Sequence, residues 1–224
     1  MNGTNRFFDR LKQACPDAWE GYIRHPFVCG LGSGELPEAA FRHYLCQDYV
    51  FLIHFSRAYA LAAYKADTLD EIRQAAETVS ALAGHEMQLH IGYCKKWGID
   101  EAALAATPEA PANLAYTRFV LERGQAGDLL DLQVALAPCV IGYAEIGKWL
   151  ASDAATQQSG NPYGDWIEMY AGTEYQEVAA ESISALDRLA AARGGDARFE
   201  ALADTFRIAT ELEIGFWQMG LDAA

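Results

Sequence analysis

Cys139 and Tyr143 stand four residues apart in the run VALAPCVIGYAEIGKW at 134–149. On a helix this spacing puts both on one face, so a thiol and a phenol can address a single ligand. A cysteine in that position could act as a nucleophile through its thiolate, although buried free cysteines more often serve as small inert hydrophobes. Two acidic residues in apolar surroundings could complete such a site. Asp48 falls in CQDYVFLIHF, where a carboxylate with apolar or aromatic neighbours on both sides needs a partner, either a core group such as a tyrosine or a ligand. Phe51 and Phe55 follow it at helical spacing as a ring wall. Glu213, in TELEIGFW, shares a face with Phe216 and Trp217, whereas Glu211 cannot share that face with it. A carboxyl group packed against aromatic rings favours its protonated form and suits a proton donor near neutral pH, although a capped or salt-bridged core glutamate fits the same pattern. Glu86 and His90 have a Glu-x-x-x-His spacing that could present two metal ligands or a plain helix-surface pair. Helical di-iron proteins more commonly use Glu-x-x-His. Tyr170, Glu174 and Glu177 also share a face, with no histidine on it.

These residues need helices to position them. Period-two alternation is scarce, apolar residues recur at three and four, and prolines cluster near breaks, so the chain reads as all-α with about eight helices. The first spans about 5–24 and ends at the loop HPFVCGLGSGEL, and a long second helix begins near Pro37 and carries Asp48 mid-length. Thr68 and Glu71 form a capping-box pattern opening a third helix that runs to about Trp97, and Asp100 caps a short turn. After the Pro108–Pro111 linker comes a helix through about Arg123, then the central helix from Asp128 to about Ala151. Residues 152–162 read as a loop and 163–171 as a shorter helix. Thr173 and Gln176 suggest another capping box, opening a helix to about Arg193, and the last helix follows the glycine pair at 194–195. The central run has no charge between Leu132 and Ala144, which makes it a core helix. Its charge-free part is too short to span a membrane. Pro138 leaves the Val134 carbonyl without its helical donor and predicts a kink.

The 224 residues suit one domain, 1–224, with a substantial core. A net charge of −14, from 31 acidic and 17 basic residues, opposes nucleic acid and anionic membranes and favours a neutral or cationic small molecule. Five widely spaced cysteines, with no Cys-x-x-Cys pair, suggest reduced thiols and a cytoplasmic setting. The N-terminus lacks the continuous apolar core of a secretory signal. A serine-nucleophile elbow, a phosphate loop and a dinucleotide fingerprint are missing, and GLGSG at 30–34 neither follows a strand nor carries a lysine.

Taken together, HPFVCGLGSGELPEAAFRHYLCQDYVFL, APCVIGYAEIG, WIEMYAG and ELEIGFW resemble the thiaminase II (TenA) family of the haem-oxygenase-like helical fold, over about residues 5–220. The resemblance implies a single helical bundle, commonly a homotetramer, that needs no cofactor or metal. It implies an enzyme that hydrolyses aminopyrimidines in thiamin salvage or cleaves thiamin into pyrimidine and thiazole. By motif, Cys139 matches the nucleophile and Glu213 the acid that protonates a ring nitrogen. Asp48 matches the carboxylate that holds the amino group and the adjacent nitrogen. Tyr116, Tyr143 and Tyr170 match pocket tyrosines. Phe51 departs from the family pattern: many members carry tyrosine there, and phenylalanine keeps the ring wall without a hydroxyl. Two other readings are a non-catalytic pyrimidine binder and a di-iron or cofactorless oxygen-using enzyme on the same fold.

Overall fold

The computed structural model describes residues 6–224, apart from the side chains of His85, Glu86 and Leu89. In chain order the helices are α1 (Phe7–Ala14), α2 (Pro16–Ile23), α3 (Pro26–Ser33), α4 (Glu38–Lys65), α5 (Leu69–Ala81), α6 (Met87–Lys96), α7 (Glu101–Ala105), α8 (Pro111–Ala126), α9 (Leu129–Ala137), α10 (Tyr143–Ser152), α11 (Gly164–Ala171), α12 (Thr173–Ala192) and α13 (Phe199–Leu221). Two π-helical turns, Leu82–Glu86 and Pro138–Gly142, join α5 to α6 and α9 to α10. The described residues contain no strand.

Local chemistry explains most boundaries. The Thr68–Glu71 capping box opens α5, and Asp100 accepts from the Ala103 N–H at the start of α7. Asp128 and Asp131 form a second capping box at α9. Three expectations are corrected. The first helix divides at Pro16, because the residue before a proline is pushed out of helical geometry, and Cys15 sits at φ −141°, ψ 56°. The supposed glycine loop at 25–36 holds α3. Pro26 is pre-set for a first turn, Phe27, Val28 and Leu31 bury their side chains, and the helix stops only at Gly34, whose φ is 75°. Burial outweighs the poor helix propensity of Gly30 and Gly32. At α12, Gly172 rather than Thr173 occupies the cap, and the Gln176 amide donates to the carbonyls of Ala144 and Tyr170 at 2.9 and 2.8 Å. Gln176 thus ties α12 to α10 and α11.

The long α4 packs against α5, α6, α8 and α13, and α13 packs against α2, α4, α8 and α9. The α9–α10 run, Leu129–Ser152, is 24 residues long, and its most apolar 18-residue window has mean hydropathy 1.5, enough by length and composition alone to cross a membrane. Its apolarity is accounted for by the core, since 78% of that window is buried inside the protein. An aromatic cluster closes this side, with Trp217 stacked on Phe27 at 5.0 Å between ring centroids.

Pro138 does not break the helix. Its φ and ψ, −58° and −43°, remain helical, and the widened π turn absorbs the missing N–H. The Tyr22 hydroxyl donates to the Pro138 carbonyl at 3.1 Å, and Gly142 leaves room for that ring. A Cβ at Gly142 would overlap Tyr22 Cε1 and lie 2.8 Å from its hydroxyl, on a residue that is fully buried. Gly142→Ala is therefore expected to cost about 1–3 kcal/mol by overpacking. Thermal unfolding should show this as a melting temperature lower by roughly 2–10 °C.

Candidate active site

A cavity of about 1050 Å³ opens beside the Pro138–Gly142 turn. Its inner end is lined by Asp48, Phe51, Cys139, Tyr143 and Tyr170, and it runs outward between α5 and α12. Ion pairs line the outer part: Arg193 meets Asp67 at 2.5 Å, Arg188 meets Glu181 at 2.7 Å, and the Gln74 amide crosses from α5 to Glu181 at 3.3 Å. The cations of this outer part are thus already engaged, and the aromatic end remains the part suited to an uncharged ring.

Cys139 lies within the π turn, and such turns recur at functional sites because the extra residue re-aims side chains. The thiol is partly buried and hydrogen-bonds to the carboxyl group of Glu213, which reaches it from α13. Glu213 is 1% exposed, and the Tyr116 hydroxyl on α8 donates to its Oε1 at 2.8 Å. Burial pushes the Glu213 carboxyl up to about 8, opposed by the Tyr116 hydrogen bond, raised further by the nearby Asp48 charge and lowered again by Cys139. Glu213 therefore holds its proton at neutral pH while touching the sulfur. The hydroxyls of Tyr22, Tyr116 and Tyr143 are pushed well above their ordinary range, first by burial, so they act as neutral donors.

Asp48, also on the cavity lining, is 4% exposed, and both of its observed donors go to one oxygen. His90 Nε2 lies 2.5 Å from Oδ2, and the Tyr44 hydroxyl lies 3.2 Å from the same atom. Tyr44 in turn meets the Tyr143 hydroxyl at 3.4 Å and receives the Trp166 Nε1–H at 3.4 Å. Phe51 forms the wall: its ring lies 5.2 Å from both Phe55 and Tyr116 and 5.4 Å from Phe216. Tyr143 and Tyr170 meet at 4.9 Å between ring centroids.

The structure thus brings Cys139, Asp48, Phe51, Tyr143 and Tyr170 to one cavity wall, with Glu213 and Tyr116 directly behind Cys139. Asp48 has a core tyrosine partner as well as a cavity face. The helix-surface reading of His90 is corrected: the residue is fully buried and its Nε2 meets Asp48, while the side chain of its supposed partner Glu86 lies outside the described residues. Tyr44 and His90 are the site residues that sequence reasoning missed. Tyr44 could have been found, since it precedes Asp48 by one helical turn. Among the described residues, no group of three or more His, Cys, Asp and Glu side chains is arranged to hold a metal ion.

The raised Glu213 acidity has a consequence for stability. A glutamate in the unfolded chain gives up its proton near pH 4.5, whereas in the folded protein it keeps it to about pH 8. Between those values the native state binds more protons, so this contribution is complete below about 4.5 and is lost as pH rises through about 8. The melting temperature of the wild type relative to Glu213→Gln is expected to fall steadily from pH 5 to pH 8.5 in parallel thermal melts. A constant difference would contradict the buried protonated acid.

Comparison with known proteins comes to the same group from several directions. Residues 12–223 match the TENA/THI-4/PQQC family. The aminopyrimidine aminohydrolase of Halalkalibacterium halodurans is 36% identical over 95% of this chain and 94% of its own length. A solved structure described as a TenA family transcription regulator, from Silicibacter sp. TM1040, superposes with a TM-score of 0.91 at 52% identity, covering 96% of each chain. A domain of unknown function with a heme oxygenase-like fold, from Shewanella denitrificans OS217, superposes with a TM-score of 0.66 at 15% identity over 96% of this chain and 91% of that one, which speaks to the fold alone.

Proposed function

The chain belongs to the TENA/THI-4/PQQC family, and on that premise we propose that it is an aminopyrimidine aminohydrolase of thiamin salvage that works through Cys139. Its substrate is 4-amino-5-aminomethyl-2-methylpyrimidine, hydrolysed to the 5-hydroxymethyl product with release of ammonia, or thiamin, cleaved to pyrimidine and thiazole, or both. One observation carries this reading: a thiol hydrogen-bonded to a buried, protonated carboxyl group at an aromatic cavity that is also lined by the fixed carboxylate of Asp48.

The chemistry follows from that arrangement. Glu213 gives its proton to a ring nitrogen, which makes the ring electrophilic, and takes the Cys139 thiol proton in exchange. The thiolate adds to the ring carbon, and the exocyclic amine, bound as its ammonium form, leaves as ammonia when the C–N bond breaks. Water then adds at the exocyclic carbon and gives its proton to the ammonia, and the thiolate is expelled as the ring nitrogen returns its proton through Glu213 to the sulfur. The exchange through Glu213 keeps the acid neutral throughout, so no uncompensated charge is created in a buried place. Asp48 accepts from the ring's amino group, the rings of Phe51 and Tyr170 flank the ring faces, and Tyr116 and Tyr143 hold Glu213 and the polar end of the pocket. Phe51 supplies no hydroxyl at a position where many relatives carry one, so the balance between leaving groups is set by the remaining wall.

The homotetramer is taken from the family resemblance, and the five free cysteines support a cytoplasmic setting. The net charge of −14 tells against nucleic acid as a ligand, although one close structural relative is described as a transcription regulator. The deciding experiment compares kcat/KM of the purified protein for aminomethylpyrimidine, its formylamino precursor and thiamin. Ammonia release with a kcat/KM favouring one of these supports the reading, and binding without turnover of any of them would replace it with a non-catalytic pyrimidine binder.

A further inference from the structure

We propose that His90 is a positioning residue that holds the Asp48 carboxylate by one oxygen so that the other is free to accept from the exocyclic amino group of the bound pyrimidine. The inference rests on the aminopyrimidine reading of the cavity and adds to it the residue that sets recognition of the amino group. Three observations carry it. His90 is fully buried on α6, none of whose described side chains lines the cavity, and its Nε2 lies 2.5 Å from Asp48 Oδ2. The Tyr44 hydroxyl converges on that same Oδ2 at 3.2 Å. Asp48 itself lines the cavity.

A carboxylate on a long helix can rotate about its last bond and offer either oxygen to a ligand. Two donors on Oδ2 remove that freedom, so Oδ1 is presented in a fixed direction before the ligand arrives. Pre-organisation of this kind cuts the ordering cost of binding and applies only to a ligand with a donor at that point. The hydrogen bonds to a charged group are the strong ones, and the His90 contact is the shorter of the two here. Removing His90 takes away the shorter of the two contacts to Oδ2 and so most directly frees the carboxylate.

The test uses two ligands that differ in one group: 4-amino-5-hydroxymethyl-2-methylpyrimidine and its 4-deamino analogue, each titrated calorimetrically into wild type, His90→Leu, His90→Asn and His90→Gln. His90→Leu should weaken binding of the amino compound about tenfold or more and change binding of the deamino analogue less than about threefold. The same variant should raise KM more than it lowers kcat. His90→Gln, which can place an N–H near the Nε2 position, should restore most of the loss. Asparagine is too short for that, so His90→Asn should repeat the leucine result and serves as the reading if His90→Leu does not fold. Equal weakening of both ligands, or failure of Gln to rescue, would mark His90 as a structural residue and overturn the inference. Failure of the wild type to bind the amino compound would instead overturn the aminopyrimidine reading itself, and this inference with it.

Discussion

Glu213→Gln is expected to lower kcat for aminomethylpyrimidine hydrolysis by roughly 10²–10⁴-fold, the span that general acid catalysis contributes. The substitution is nearly isosteric. Glutamine still accepts from the Tyr116 hydroxyl that now lies 2.8 Å from Oε1, and a neutral amide suits a site that is 1% exposed, so the fold should persist. What is lost is a transferable proton: an amide can donate a hydrogen bond to the ring nitrogen but cannot hand over the proton that activates the ring. The same variant removes a pH signature. In the wild type the active form is protonated Glu213, held to about pH 8 chiefly by burial, so the rate should fall as pH rises through that value. The Gln variant should lack this limb. Steady-state ammonia release measured from pH 6 to pH 9 reads both effects. A Gln variant with near wild-type kcat, or an unchanged alkaline limb, would remove Glu213 from the proton path.

The sequence carried the helical class through local pattern, and the inner end of the cavity through local pattern together with a family resemblance. Asp48 and Phe51 share a helix in CQDYVFLIHF, Glu213 is fixed inward by Phe216 and Trp217, and Cys139 and Tyr143 share one face of a charge-free run. Each of those inferences needs only helical periodicity. Contacts between distant elements were out of reach: His90 meets Asp48 across 42 residues, and periodicity on α6 gives no information about what α4 sets opposite. The α3 segment was misread for a related reason, since its glycines argue locally for a loop while the burial of Phe27, Val28 and Leu31 that makes it helical is a tertiary effect. At Pro138 the sequence located the disturbance, and the structure adds its form, a π turn in which Tyr22 bonds the Pro138 carbonyl from α2.

Cys139→Ser carries the other large effect. The substitution keeps the shape of the side chain and a hydrogen bond to Glu213, so the cavity, the aromatic wall and the Asp48–His90 pair should remain. A serine hydroxyl is far less acidic than a thiol and is a poor nucleophile unless a general base activates it. Glu213 becomes a base only after it has protonated the ring, and a carboxylate so formed takes the proton of a weakly acidic hydroxyl far less readily than that of a thiol. If covalent addition by sulfur is the first chemical step, kcat should drop by roughly 10³-fold or more, as removal of a nucleophile does in other covalent enzymes. Binding of the hydroxymethylpyrimidine product should change little, because its amino group and ring are held by Asp48 and the aromatic wall. The central claim, that this sulfur performs the chemistry, is tested most directly by ammonia release from aminomethylpyrimidine by wild type and Cys139→Ser at equal concentration and saturating substrate. The expected result is turnover by the wild type and a rate at or near the uncatalysed background for the variant with product binding intact. A serine variant that releases ammonia at the wild-type rate would contradict it.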